Sequence, residues 1–370
     1  MTRARLPVGW LVGGVVLLIL ALFPLFIDHA DLALPTEVFI FALFAMSYDV
    51  VFGFTGLISF GQSLFVGAGA YALAVDLTQY HEPLWVAFFA ALLTGIILSV
   101  ITGALALRTR GVYFAMVTLA FAQGAFTLAD SGIGNTNGET GLSVSSTPAW
   151  LTGPGNEAHF YYVALAVLVL GYLLLRLFVF SPAGRVWQAV RENEYRAQMI
   201  GYRPFNYKLM SYVIAGAVSS TAGALYAVYV GSVSTNLFSA DLTIQLLLMV
   251  IIGGAGSLWG AIVGAALIRY LNHYLNVLSS SSFVANGPNW LHQTVGQPLL
   301  LFGIIYLFLV VFFPQGIAGA IQSRFQLGRS VVPKPGLAEV EAEAAEAVDV
   351  EVGESVEPLP TATSDPPPRS

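Results

Sequence analysis

Long apolar runs separated by short charged loops make up most of this chain. Ten runs approach or exceed the roughly 20 residues that span a bilayer. They fall at about 8–27, 36–54, 57–76, 84–106, 112–129, 159–179, 208–231, 242–258, 260–278 and 297–314. The pattern predicts an all-α polytopic membrane protein with about ten transmembrane helices. The first run follows Arg3 and Arg5. It is longer than the apolar core of a signal peptide and no small-residue cleavage site follows it, so it reads as an anchor.

Charge placement adds a topology. Under the positive-inside rule, Arg3 and Arg5 put the N-terminus in the cytoplasm. Alternation over ten spans then puts Arg108, Arg110, the loop 181–208 and Arg324, Arg329 and Lys334 on that same side. The other side receives Asp28, Asp31, Glu37, Glu82, Asp130, Glu139, Glu157 and Asp241. Both termini are therefore expected to be cytoplasmic, and the Gly-, Asn- and Ser-rich loop 130–158 to be external and flexible or turn-forming.

Only 10% of residues are charged, against about a quarter in a soluble protein, which agrees with a chain that lives in membrane lipid. The net charge of −6 belongs to the end of the chain. Beyond residue 330 there are nine acids against Lys334 and Arg369, and the rest holds 13 basic and 12 acidic residues. The sequence thus divides into a membrane body, 1–318, and a cytoplasmic acidic tail, 319–370, expected to be disordered. Cysteine is absent, which excludes disulfides and thiolate chemistry. The five histidines (His29, His81, His159, His273 and His292) lack ligand spacing. No catalytic triad or paired carboxylates are visible, and no cofactor, metal or nucleic acid is implied.

The loop 181–208 concentrates cations. Arg185, Arg191, Arg196, Arg203 and Lys208 are five of the fifteen basic residues. From Arg185 to Gly201 the sequence suits one short helix, with Pro182 in its first turn and Gly201 as its stop. Val186, Val190, Met199 and Ile200 give it an apolar side, and Arg191, Glu192, Glu194 and Arg196 a polar one. Such a helix would bury its apolar side in a groove of another protein; the plainer reading is a loop that only obeys the charge rule.

Ser181-Pro182-x-Gly184-Arg185, Ala189-Val190-Arg191-Glu192-Asn193-Glu194, Gly201 and Tyr207-Lys208-Leu209 resemble the coupling segment of ABC importer permeases for branched-chain amino acids, of the LivM type. The resemblance continues through Gly53-x-Thr55-Gly56-x-x-Ser59-x-Gly61, Arg110-Gly111-x-Tyr113-Phe114-Ala115, Gly253-Gly254-Ala255-Gly256-Ser257-Leu258-Trp259-Gly260 and Phe313-Pro314-Gln315-Gly316. It spans about 40 to 318 and is shared with permeases for urea and short amides, which are the alternative substrates. It implies a second related permease, two cytoplasmic ATPases, an external solute-binding protein and a small-molecule solute as partners, within membrane lipid. It also implies ATPase coupling through Arg185, Ala189, Arg191, Glu192, Glu194, Arg196 and Gly201. The chain itself has no P-loop, since Lys208 and Lys334 follow Tyr207 and Pro333. It is expected not to be an enzyme.

Polar groups inside spans are costly and mark candidate pathway residues. Asp49, Ser59, Gln62, Ser63, Thr118 and Gln123 stand out in the first half, and Ser219, Ser220, Gln245 and Arg269 in the second. A Ser or Thr bonded to a carbonyl one turn back is the plainer reading. Related permeases often carry His where Gln62 stands, so a titratable group is missing there. Arg269 is expected to snorkel. Gly256, Gly260 and Gly264, four apart, predict a helix face for close packing. Gly53-x-x-Gly56 and Gly253-x-x-Gly256 both fall at turns and hint at a duplication. The competing class is a stand-alone, ion-coupled secondary transporter, with Asp49 as its coupling group.

Overall fold

The computed structural model describes residues 8–26, 32–132, 136–144, 147–152, 156–279, 303 and 316–319. The chain divides into a unit Met1–Gln322 and a unit Ser323–Ser370, and every described residue belongs to the first. The run at 297–314, apart from Gly303, and the acidic tail beyond Gly319 lie outside the described residues.

Helix α1 (Val8–Leu22) leads, by way of a 3-10 turn, toward α2 (Ala33–Asp49), which a π-helical turn (Val50–Phe54) extends. Apolar residues surround α2 on every side, as in a helix buried at the centre of a bundle. Every residue from Val38 to Val51 is buried. Around it pack α7 (Glu157–Val179), α10 (Pro204–Val230), α11 (Ala240–Gly253) and α12 (Leu258–Ser279). On the other side of α10 lie α3 (Gln62–Thr78) and α4 (Leu84–Ala106), with α5 (Val112–Asp130) beyond.

Apolar side chains gain little by leaving lipid for one another, so membrane helices associate through close packing of small residues. Helix α4 buries Ala87, Ala91, Gly95, Ser99 and Gly103, each four residues from the last. They face α10 so closely that a Cβ added at Gly216 would lie 2.6 Å from the Ser99 Cβ. The opposite face of α4 exposes Trp85, Phe89, Leu93 and Ile97, which suits contact with lipid.

Among the described residues, five helices are long and apolar enough to cross a membrane: Ala33–Phe54, α4, α5, α7 and α10. The count rises to six if α11 and α12, bent by 117°, form one broken or re-entrant span. The expectation of about ten is thereby corrected, for three reasons. Helix α1 has 15 residues and α3 has 17, each short of a bilayer-spanning helix. The segment from Thr55 to Gly61 has no helical structure, and α3 begins only at the fully buried Gln62. Between α11 and α12 the backbone turns sharply at Gly254 (φ 110°) and Gly256 (φ 85°), conformations that favour glycine. Placing the C-terminus on the same side as the N-terminus rested on ten crossings and loses its basis with them.

Charge nonetheless separates by end. Arg108, Arg110, Arg176 and the cations of 185–208 gather where α4 and α7 end and α5 and α10 begin. Glu82, Asp130, Glu157 and Asp241 lie at the opposite ends of these helices. At that acidic end the loop 130–158 has more structure than its composition suggests. Strand β1 (Leu142–Ser143) pairs antiparallel with β2 (Ser232–Val233). Val144 N also donates to Gly231 O at 2.8 Å, and the Thr136 hydroxyl to Ala129 O at 2.7 Å. Leu142, Val144 and Leu151 are buried, the last within a short helix, α6 (Ala149–Thr152).

Arg269 does not simply snorkel. It forms an ion pair with Glu37 of α2, and its guanidinium sits 4.1 Å from the centre of the Phe41 ring. Both side chains are largely buried, so losing one partner strands the other charge. Glu37→Gln alone is expected to destabilise by about 2 kcal/mol more than Glu37→Gln with Arg269→Met. Thermal unfolding in mild detergent reads the difference; equal shifts would show that the two charges do not depend on each other.

Candidate functional site

The basic loop folds as two helices, not one. Helix α8 (Pro182–Glu192) is capped by the Ser181 hydroxyl, which accepts from Gly184 N at 3.3 Å. Asn193 leaves helical geometry, and its side chain caps α9 (Glu194–Met199) by accepting from Arg196 N at 2.8 Å. Pro182 in the first turn and a side-chain oxygen at each N-cap satisfy amides that a helix start leaves unpaired.

The apolar residues of this loop divide between two surfaces. Val186, Trp187 and Val190 are buried within the chain, and Trp187 Nε1 donates to Tyr207 O at 2.9 Å. Met199 and Ile200, by contrast, are 71% and 67% exposed, next to exposed Tyr195. The single apolar side expected from the sequence is thus corrected: α8 uses its own to hold the loop to the body, and α9 presents a separate one outward. Glu194 points to Lys208 (Oε2 to Nζ 2.6 Å), whereas Arg185, Glu192 and Arg196 are exposed. Ala189 is half-buried, and Gly201 follows the end of α9.

Beneath α8 the two glycine turns meet. The Arg191 guanidinium donates to Gly53 O, and its aliphatic stem lies over Gly56, where an added Cβ would come within 2.9 Å of the Arg191 Cγ. Gly256 N donates to Asp49 Oδ1 at 2.7 Å. An added Cβ at Gly256 would lie 3.1 Å from Arg191 Nη1 and 3.3 Å from Gly53 O. Gly316, from the last motif, packs against Gly254, where its Cβ would come within 2.6 Å of the backbone nitrogen. Four segments far apart in sequence meet here, joined by two polar side chains and bare backbone.

The other candidate residues spread out. Gln62 Nε2 donates to Ser219 Oγ at 2.7 Å, and the Ser47 and Ser219 hydroxyls bond at 2.6 Å. Ser63 N donates to Thr243 Oγ1, and its hydroxyl to Phe238 O, both at 3.1 Å. Thr118 Oγ1 accepts from Phe60 N at 3.1 Å, and Ser59 Oγ from Gly61 N at 3.2 Å. These last bonds serve the non-helical entry to α3, whose amides must find partners inside the protein. Five of the six first-half pathway candidates are buried, and Gln123 is exposed on α5. Among the described residues their hydrogen bonds fall into separate groups, and Asp49 belongs to the glycine turns. Gly260 and Gly264 face α11: an added Cβ at Gly260 would lie 2.6 Å from Gly253 O, and one at Gly264 2.9 Å from Gly253 N. Gly256 lies in the turn before α12 and does not share their helix face. Sequence reasoning missed Ser47, Thr243 and Trp187. Trp187 alone had a visible signal, its place on the Val186–Val190 stripe.

Residues 32–313 match the family described as branched-chain amino acid transport system / permease component. The chain is 26% identical to the high-affinity branched-chain amino acid transport system permease protein LivM of Escherichia coli, over 85% of this chain and 76% of that protein. It is 23% identical to the probable branched-chain amino acid transport permease protein LivM of Methanocaldococcus jannaschii, over 75% of this chain and 90% of that one. It is also 24% identical to the autoinducer 2 import system permease protein LsrC of Salmonella paratyphi B, over 77% of this chain and 82% of that one. No solved structure matches.

Proposed function

We propose, because this chain belongs to the family of branched-chain amino acid transport system permease components, that it carries branched-chain amino acids through the membrane as one half of a paired permease. Membership makes it a multi-pass membrane permease subunit of an ABC-type importer, a transport component and not an enzyme. The observation that carries the substrate reading is the resemblance to LivM-type proteins over most of the chain. LsrC, named for a different solute, is similar over nearly as much of it, so specificity is assigned to an external binding protein.

The α8–α9 surface faces the cytoplasm in this reading and receives an ATPase on Tyr195, Met199 and Ile200. The ribbon-braced loop 130–158 faces the binding protein. Gln123, on the exposed face of α5, looks toward the second permease, and the solute passes between the two chains. Hydrolysis of ATP by the cytoplasmic pair supplies the energy.

The test is a mild-detergent pull-down of the chain from its native membranes, with co-purifying proteins identified by mass. A P-loop ATPase and a second hydrophobic permease are expected. The accompanying binding protein is expected to bind leucine, isoleucine or valine in preference to urea or acetamide. A chain that emerges alone and still moves solute would support an ion-coupled carrier in its place.

A further inference from the structure

We propose that Asp49 and Arg191 are positioning residues that strap α8 to both glycine turns, so that α8, the end of α2 and the α11–α12 bend move as one body. The inference rests on the reading of α8–α9 as the ATPase-facing surface, and it removes Asp49 from the solute pathway.

The chemistry of each bond supports it. The Gly53 carbonyl is in the π-turn that ends α2, and carbonyls at a helix end lack donor partners of their own. Arg191 supplies the donor from α8. The Gly256 amide lies in a turn between helices, where no helical carbonyl serves it, and a backbone amide buried without a partner is costly. Asp49 supplies the acceptor from α2.

Bare glycine backbone makes the junction close enough for these bonds. A Cβ at Gly53 would run into the Asp49 carboxylate and the Gly256 amide, and one at Gly56 into the Arg191 side chain. Asp49 is wholly buried, and its Oδ2 has no hydrogen-bond partner among the described residues. Its other oxygen, Oδ1, is committed to the backbone of the Gly256 turn. The hydrogen bond to Gly256 needs an oxygen acceptor and no charge, so asparagine can replace it. A carrier that uses Asp49 to couple ions could not tolerate that change.

The chain has no cysteine, so spin labels can be placed at Gln198→Cys on α9 and Val263→Cys on α12. Both positions are outside the straps. In the full complex, the interlabel distance distribution is expected to be narrow and unmoved by a non-hydrolysable ATP analogue. Arg191→Ala and Asp49→Ala are expected to broaden it, and Asp49→Asn to restore it. Leucine uptake per ATP hydrolysed should fall about tenfold in Arg191→Ala, the loss of one hydrogen bond made by a charged group, while ATPase co-purification holds. An unchanged distribution and uptake ratio in Arg191→Ala would overturn the strap, as would loss of uptake in Asp49→Asn with the distribution intact. If wild type binds no ATPase, the coupling reading fails separately, and the distance distributions of the chain alone still decide whether the straps hold.

Discussion

Gly69→Ala should prevent most of the chain from reaching its folded state. An added Cβ at Gly69 would collide with the backbone of Ser220 on α10, and one at Gly223 would collide with the backbone of Val66 on α3. The two helices therefore meet backbone to backbone at two glycines pointing in opposite directions. No rotamer change relieves a clash with backbone. The helices must separate, and the buried bonds at that interface, Gln62 to Ser219 among them, separate with them. Overpacking at such a site is expected to cost about 3 kcal/mol or more, against the 5–15 kcal/mol that typically holds a domain together. Gly171→Ala is the matched control, because its nearest neighbour is the tip of the Leu43 side chain, which can turn away. Monodisperse yield in mild detergent should collapse for Gly69→Ala and Gly223→Ala and hold for Gly171→Ala. An unchanged yield for all three would mean that α3 and α10 do not approach so closely.

The second large effect concerns the surface of α9. Met199→Glu with Ile200→Glu places two charges on exposed apolar positions that the fold does not use, so the chain alone should keep its stability. Its co-purifying ATPase should fall by at least about tenfold, since a central apolar contact in an interface is worth roughly 2 kcal/mol. Trp187→Ala should do the reverse in kind. It empties a buried site and removes the bond to Tyr207 O, at a cost of about 3–5 kcal/mol to the chain itself. If Met199 and Ile200 tolerate charge with full ATPase retention, the docking face is elsewhere on the loop.

Hydropathy found α4, α5 and α7 almost to the residue, because each faces lipid along one side and its apolar run ends where the helix ends. It misjudged α3, where 57–76 is apolar but the first residues are not helical and the helix begins only at Gln62. It also separated α11 from α12 as two spans, since composition carries no direction and the 117° bend lies in a Gly-Gly-Ala-Gly stretch. The repeated Gly-x-x-Gly turns were visible as a likeness, but their contact was not. Arg191 reaches Gly53 across 138 positions of chain, and nothing local to either residue announces the other. Val186, Val190, Met199 and Ile200 were recognised as the apolar positions of the basic loop and Trp187 was not; which of them the chain keeps for itself depends on the break at Asn193.

The bend between α11 and α12 has a mechanical consequence. From Gly253 back to Thr243 is a rigid arm of about 15 Å, pivoted at the basic end and reaching deep into the bundle. A rotation of about 10° at the pivot sweeps Thr243 through an arc of about 2.6 Å at that radius. The bond it accepts from Ser63 N is 3.1 Å long, so a tilt of that size is enough to unfasten the first turn of α3. A small push from outside the membrane would thus be geared into about 2.6 Å of travel within it, at Thr243.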